Sequence, residues 1–426
     1  MRLLREPTEP DLMGPLDRAF ITAAWTLAAL AGATVYLPTA GAGFPALLWL
    51  CVALAGCALG RWRWRREGAF WLIALVAWLA LTCLWSPASG VDMLSHGWHY
   101  AVLLAIPLLA GSVGQRQARL ALQGFVGASI LLALCWLWLA LWPFTPHELA
   151  STLLLYDGNR SISNGVLMAL ASALAAHWAL APVWPARQRW AWAAVATFLA
   201  VMVLWRSPAR SAHLSLGVLA LGLVWFWQRR WWPRLLMLMA VAALAVAMAL
   251  GGGGLGARAQ AGQLDTSNQQ RWMVYSTTAK LVLEHPIQGH GLGSWETLWP
   301  TRSPAPELRR FNTAHSAPLE LLAEGGLVAL GLLLGAVLAW AGVARRAGVN
   351  QAVLGQGAGT PLAWVLLAWG VEATFNAALR DAAFAAPMIV LTALALAAAG
   401  KPGAASTQSG SFNSKRLMHR RPAGTR

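Results

Sequence analysis

Apolar residues run along nearly the whole chain in uninterrupted stretches of about 17 to 25, the length a helix needs to cross a hydrocarbon core of about 30 Å. The stretches do not alternate between apolar and polar positions, so the pattern is not that of a membrane β-barrel. Twelve spans are expected, at 19–37, 43–60, 69–85, 94–113, 120–143, 162–182, 190–205, 211–227, 235–250, 317–343, 361–379 and 382–399. Two polar segments of any size interrupt them on one side: Pro143 to Ser161, and a long insertion from Gly251 to Ala317.

Composition agrees with that pattern. The chain of 426 residues is 58% hydrophobic and 11% charged, with a mean hydropathy of +0.53, against roughly 25% charged in soluble domains. The net charge of +16 sorts by side. The connections beginning at Arg61, Arg116, Arg187, Arg229 and Arg345, together with both termini, hold 22 of the 32 Lys and Arg residues. The positive-inside rule therefore puts both ends in the cytoplasm, which requires an even number of spans. Arg61 to Arg66 and Trp227 to Arg234 interleave tryptophan with arginine, as in anchors to the headgroups of membrane lipids. The charge is thus a topology signal, and nucleic acid is not an expected partner. The expected fold class is an all-α integral membrane protein with about 12 transmembrane helices.

Four regions follow: helices one to nine in 1–250, a large outer loop in 251–316, helices ten to twelve in 317–400, and a basic, disordered cytoplasmic tail in 401–426. Glu6, Glu9, Asp11 and Asp17 dilute the arginines of the N-terminus, unlike a secretory signal, so the first span is expected to persist. Cys51, Cys57, Cys83 and Cys135 all fall in apolar spans and imply no disulfide framework.

Inside the long insertion, Asp265 to Asn268 offer N-cap candidates. Trp272, Tyr275, Ala279, Val282 and Leu283 then follow at one-face helical spacing, predicting an amphipathic helix on the membrane or on the span bundle. It should end near His285-Pro286, because proline disfavours helix in the residue before it. The chain then passes through Gly289-His290-Gly291-Leu292-Gly293 and an irregular stretch from Pro300 to Asn312, and helix restarts near Ser316 to Pro318. His315 therefore stands just before a helix N-terminus. The positive dipole end there disfavours an imidazolium and keeps the ring neutral, as a base requires.

Other polar residues stand where the pattern does not favour them. Arg206 and Arg210 lie on the outer side in a short connection lacking acidic residues, a placement that suits a pyrophosphate or a headgroup phosphate. Arg271 flanks Trp272 and Tyr275, and Arg160 precedes the sixth span beside Asp157, which can pair with it. Glu324 and Glu372 sit at membrane depth, where carboxylates line a cavity or pair with a partner. Asn376 and Arg380 follow Glu372 at i+4 and i+8, expected as one helix face forming an internal polar seam. Asp381 can orient an arginine or bind a sugar. His96 with His99, and His285 with His290, are the natural metal rivals, yet no metal-binding motif accompanies them and no metal is expected. The glycine run lacks the strand and GK[ST] of a P-loop and reads as turn chemistry.

In order, SPARSAHLSLGV around Arg210, SNQQRW with Arg271, HPIQGHGLGSW, and HSAPLELLAEGGLVALG from His315 resemble the lipopolysaccharide O-antigen ligases. Their superfamily also holds O-antigen polymerases and protein O-oligosaccharyltransferases. One departure is Ser316, where the superfamily commonly has asparagine. The resemblance implies a GT-C-like glycosyltransferase at the periplasmic face of a bacterial inner membrane, working without cofactor or metal. Its donor would be an O-antigen glycan on undecaprenyl diphosphate and its acceptor lipid A-core. His315 would be the general base, and Arg210 and Arg271 would hold the diphosphate, with Arg206, Arg160, Asp381 and Glu324 in support. A polymerase would use the same base and donor with another acceptor. Protein O-oligosaccharyltransferases are commonly longer. A non-catalytic transporter of lipid-linked glycan would tolerate loss of His315, and no internal repeat of the transporter kind is evident.

Overall fold

The structure, a computed structural model, describes residues 15–34, 36, 39–60, 62, 64–142, 158–227, 263–353 and 360–400. The described residues are helical without strands. The expected span at 235–250 and the tail at 401–426 lie outside them, and a helix lies at each of the other eleven expected spans.

In chain order the helices are α1 (Pro15–Ala33), α2 (Thr39–Ala58), α3 (Ala69–Thr82), α4 (Gly90–Ala101), α5 (Ala105–Ser112), α6 (Gln115–Leu141), α7 (Gly158–Leu180), α8 (Ala186–Arg206) and α9 (Arg210–Trp227). After the undescribed stretch come α10 (Gln263–Glu284), α11 (Ser294–Arg302), α12 (Ala317–Val353), α13 (Pro361–Phe375) and α14 (Ala382–Ala398). Among the described residues, five segments are long and apolar enough to cross a membrane: Gly90–Ser112, Gln115–Leu141, Ile162–Leu180, Ala186–Arg206 and Ala317–Val349. The first combines α4 and α5 across a 3-10 turn at Val102–Leu104. Pro107 follows it and has no N–H to return to residue 103, which explains the change of helix type. Shorter apolar helices complete the set.

The helices share one continuous core. At its centre is α7, in which residues 163–175 are all buried. A helix apolar all round belongs inside a bundle, and its small residues let neighbours approach closely. α8, α9, α13 and α6 pack around it. Interior polar groups are satisfied between helices: Trp49 Nε1 donates to Ser112 Oγ at 2.9 Å, Ser172 Oγ to the Ala196 carbonyl at 2.8 Å, and Trp369 Nε1 to Thr392 Oγ1 at 2.9 Å. Large apolar side chains such as Leu84, Leu94, Trp190 and Leu338 stay exposed on the outside, as lipid-facing positions require. All four cysteines are free.

The long insertion has a small core of its own. Val274, Leu281, Trp295, Trp299, Leu308 and Ala314 pack against Ala323 of α12. Trp295 and Trp299 stack at 5.0 Å, Trp295 Nε1 donates to Thr278 Oγ1 at 3.0 Å, and Trp299 Nε1 donates to the Leu308 carbonyl at 2.8 Å. This core picks out a second face of α10, apart from the expected stripe. The buried stripe of α10 is Val274, Thr278 and Leu281, whereas Trp272 is 73% and Leu283 77% exposed. The two tryptophans of α11 select the buried side; of the expected stripe, Val282 also packs on this core and Tyr275 is half-buried, while Trp272 and Leu283 stay exposed. Asp265 to Asn268 also fall within α10, which begins at Gln263 and ends at Glu284 just before His285-Pro286.

A break in α12 locks the insertion to the bundle. Gly326 has φ 69° and ψ −170°, so its turn cannot close normal helical bonds. The preceding loop supplies the partners instead. The N–H groups of His290 and Gly291 donate to the carbonyls of Ala323 and Glu324, both at 2.8 Å, and Leu327 N–H donates to the Pro286 carbonyl at 2.8 Å. Trp78 Nε1 caps the Gly325 carbonyl at 2.8 Å. A Cβ on Gly326 would stand 2.0 Å from the Ile287 carbonyl oxygen, and one on Gly289 2.3 Å from that of Glu324. The glycine run is therefore a backbone plug for a broken helix: the His290 and Gly291 N–H groups go to α12, while those of Gly289 and Leu292 go to the His285 carbonyl and Thr82 Oγ1.

Candidate functional site

An open cleft of about 510 Å³ lies where α9, α10 and the end of α13 meet. Arg210, Ser211, Ser267, Asn268, Arg271, Trp272, Tyr275, Phe375 and Asn376 line it. Arg210 is the first residue of α9 and bonds to Asn268 Oδ1 and, at 3.1 Å, to Ser267 Oγ. Arg271 reaches the cleft from α10 and is held from the opposite side. Its Nη1 donates to the Phe375 carbonyl at 2.8 Å and its Nη2 to Asn376 Oδ1 at 3.3 Å. Both acceptors are neutral. Two guanidinium groups distant in sequence thus face one cavity, a geometry fitted to forked recognition of phosphate oxygens.

Asn376 is the junction of the site. Its Nδ2 donates to Glu372 Oε1 at 2.7 Å, and its carbonyl oxygen accepts from Ala317 N–H at 3.2 Å, two residues beyond His315. Asn376 ends α13 in extended conformation, which corrects the expected seam: Arg380 is not on the helix that carries Glu372. The turn at 376–381 instead sends Arg380 to the base of the His315 segment.

His315 immediately precedes Ser316 and the start of α12, and its φ of 52° is the one positive value on a non-glycine residue among the described residues. Left-handed backbone costs energy and persists where surrounding contacts impose it. Tyr275 donates its hydroxyl to the His315 carbonyl at 2.9 Å, and Phe311 sets its ring edge against the imidazole at 5.0 Å. The imidazole is not part of the cleft lining; His315 is tied to the cleft through the Tyr275 bond to its backbone. Burial, and then the Arg271 charge, lower its pKa to about 4, so the ring is neutral at physiological pH. Burial raises the Tyr275 phenol, with Arg271 and Arg210 acting against it.

The other candidates fall outside the cleft lining. Arg206 ends α8 with its guanidinium 5.5 Å from the Trp205 ring centre. Arg160 lies in the first turn of α7, and its side chain is outside the described residues. Asp381 caps α14 by accepting from Ala383 N–H at 3.0 Å and lies 3.4 Å from Ser163 Oγ. Burial raises its pKa, partly offset by those two donors.

Glu324 belongs to a second polar centre, below the His315 segment. His96 Nδ1 is 3.0 Å from Glu324 Oε1, and its Nε2 is 3.1 Å from Glu296 Oε2. Arg380 Nη2 donates to the same Glu296 oxygen at 2.9 Å, and its Nη1 to Glu320 Oε1 at 2.9 Å. Burial opposes the Arg380 charge, and Glu320 and Glu296 more than offset it. Burial likewise opposes the Glu296 charge, yet Arg380 and His96 hold this carboxyl below its ordinary range. Among the described residues, His96, Glu320 and Glu324 are the group whose ligand atoms approach within 4.8 Å, so they are the residues able to hold a metal ion. Arg380 already supplies positive charge there. His285 and His290 pack ring against ring at 4.6 Å, and His290 Nε2 bonds to the Leu281 carbonyl at 2.9 Å.

Tyr275, Asn376, Glu296 and Glu320 carry contacts that residue pattern did not assign to the site. Glu320 had one available signal, its i−4 spacing from Glu324 on the same apolar helix.

Fold and cleft together define a polytopic helical membrane protein with a cationic cavity beside a neutral histidine. Residues 193–334 match the family model described as O-antigen ligase, and this match supports membership of the O-antigen ligase family. The matched segment contains Arg206, Arg210, Arg271, His315 and Glu324, and stops before Asn376, Arg380 and Asp381. The family supports an O-antigen ligase or polymerase type of function, and so a glycosyltransferase-like enzyme. None of the curated proteins matches the chain.

Proposed function

We propose that the chain is an O-antigen ligase that moves a glycan from undecaprenyl diphosphate to a sugar hydroxyl of lipid A-core, at the periplasmic face of a bacterial inner membrane. The observation that carries this reading is the meeting of Arg210 and Arg271 on one cleft, with His315 tied to that cleft through Tyr275. The acceptor oxygen attacks the anomeric carbon and forms the new glycosidic bond. The bond from that carbon to the diphosphate breaks, and its electron pair stays on the departing phosphate oxygen. His315 takes the hydroxyl proton. Arg210 and Arg271 neutralise the growing diphosphate charge, so the arginines fill the role a metal has in other diphosphate chemistry. Attack opposite the leaving group inverts the anomeric centre.

A free imidazole with a pKa near 4 is a weak base. Burial is the larger cause of that weakness and Arg271 the smaller; a bound diphosphate acts on the smaller, its negative charge offsetting Arg271 and raising the basicity of His315 once donor is in place. Arg206, Arg160, Asp381 and Glu324 retain supporting roles in this proposal.

The test is purified protein with lipid-linked glycan and lipid A-core, followed by analysis of the product. Glycan on lipid A-core is the expected result. Extension of the lipid-linked glycan, with lipid A-core untouched, would move the chain to the polymerases.

A further inference from the structure

Five ionisable groups, of which the proposed transfer gives only Glu324 a supporting role, gather beside the segment carrying His315. They come from separate elements: His96 from α4, Glu296 from α11, Glu320 and Glu324 from α12, and Arg380 from the turn between α13 and α14. Glu320, Glu324 and His96 are each 2% exposed or less. Removing such groups from water is costly, so the arrangement is not a gain in stability for its own sake.

Its outlet is the backbone next to His315. Arg380 Nη1 donates to the Asn312 carbonyl at 2.6 Å as well as to Glu320. Glu320 turns its other carboxylate oxygen to the Ala314 N–H at 3.0 Å. The Arg380–Glu320 pair therefore grips the main chain on both sides of Thr313, and the second grip is one residue from His315. Behind the pair, Glu296 receives Arg380 and His96 on one oxygen, and His96 is anchored in turn on Glu324.

We infer that Arg380 is a positioning residue for His315: with Glu320 it fixes the 312–314 backbone, and with it the left-handed conformation in which His315 is held next to the cleft-lining Tyr275. Glu296, His96 and Glu324 keep the Arg380 fork aimed. Lysine cannot replace the fork, since one ammonium cannot present two parallel N–H edges to Glu296 and Glu320 while also reaching Asn312. This inference rests on His315 being the base.

Arg380→Gln, Arg380→Lys, Glu320→Gln and His315→Ala, each as the full chain in detergent, are compared in the transfer assay. Folding is checked by helical circular dichroism and gel filtration. With His315 displaced by about an ångström, turnover in Arg380→Gln should fall by about 100-fold while the donor KM stays within about twofold. Arg380→Lys should recover little. Glu320→Gln keeps an acceptor for Ala314 N–H and should lose about tenfold, and it carries the test if the Arg380 variants fail to fold. Loosening also exposes His315 to water, away from Phe311, Tyr275 and Arg271, so the acid limb of turnover should move to higher pH. Unchanged turnover in folded Arg380→Gln, with His315→Ala inactive, overturns the positioning role alone. A donor KM raised as far as in Arg271→Ala overturns it in favour of direct donor binding. An active His315→Ala overturns the base reading and this inference with it.

Discussion

The Tyr275 hydroxyl donates to the backbone carbonyl of His315 across 2.9 Å, joining a helix that lines the cleft to the residue placed as base. The bond holds the main chain of His315 and leaves its imidazole free to accept a proton. Tyr275→Phe keeps the ring and removes the bond, a loss of about 1 kcal/mol. Turnover should drop by about tenfold with donor KM nearly unchanged. Steady-state kinetics decide it, and wild-type turnover would show that the other contacts suffice.

Arg271 should distinguish shape from charge. Its fork spans the Phe375 carbonyl and Asn376 Oδ1 while facing the cleft. Arg271→Ala removes a charge-assisted contact worth about 1.5 to 3 kcal/mol, so undecaprenyl diphosphate should bind about 10 to 100 times more weakly. Arg271→Lys should recover only part of that loss. Binding of undecaprenyl diphosphate to purified protein is the measurement, and equal affinity in all three proteins would remove Arg271 from the donor site.

The lowered pKa of His315 gives a signed pH dependence. In the free enzyme the imidazole is neutral above about pH 4, so kcat/KM should hold from neutrality downward and fall through that value. With donor bound, the diphosphate offsets Arg271, and the limb of kcat should lie higher than that of kcat/KM. Arg271→Gln should raise the kcat/KM limb. Stability follows the same group: the unfolded histidine binds its proton near 6.5, so the contribution is present above that pH and is lost as pH falls toward 4.

Gly326→Ala tests the plug that holds the long insertion on α12. The substitution forces a side chain into φ 69° and places its Cβ 2.0 Å from the Ile287 carbonyl oxygen. A cost of about 1 to 3 kcal/mol from the strained backbone alone is expected, read as a lower melting temperature. Gly331, where a Cβ meets nothing within 4 Å, is the control. Equal melting temperatures for the two variants would contradict the account of the break.

Sequence pattern located the helices because membrane burial imposes long apolar runs that few other constraints imitate. It singled out His315 as a candidate for a related reason: a polar stop before an apolar helix is conspicuous. The partners were not legible in the same way. Arg271 finds Asn376 across 105 positions of sequence, and Arg380 finds Glu296 across 84, distances over which periodicity carries no information. The second, buried stripe of α10 was not legible because Val274 and Leu281 are no more apolar than Trp272 and Leu283, and only the tryptophans of α11 decide which stripe is covered. The break at Gly325-Gly326 was hidden for the opposite reason, since glycines are ordinary in membrane helices and the carbonyls that plug it lie in a separate motif.

The account stands most directly on one comparison: wild type and His315→Ala in the transfer assay with lipid-linked glycan and lipid A-core, alongside undecaprenyl diphosphate binding. Removing a general base should lower turnover by about 10² to 10⁴-fold while the diphosphate binds as in the wild type. Transfer by His315→Ala at the wild-type rate would contradict the assignment of this residue as the base.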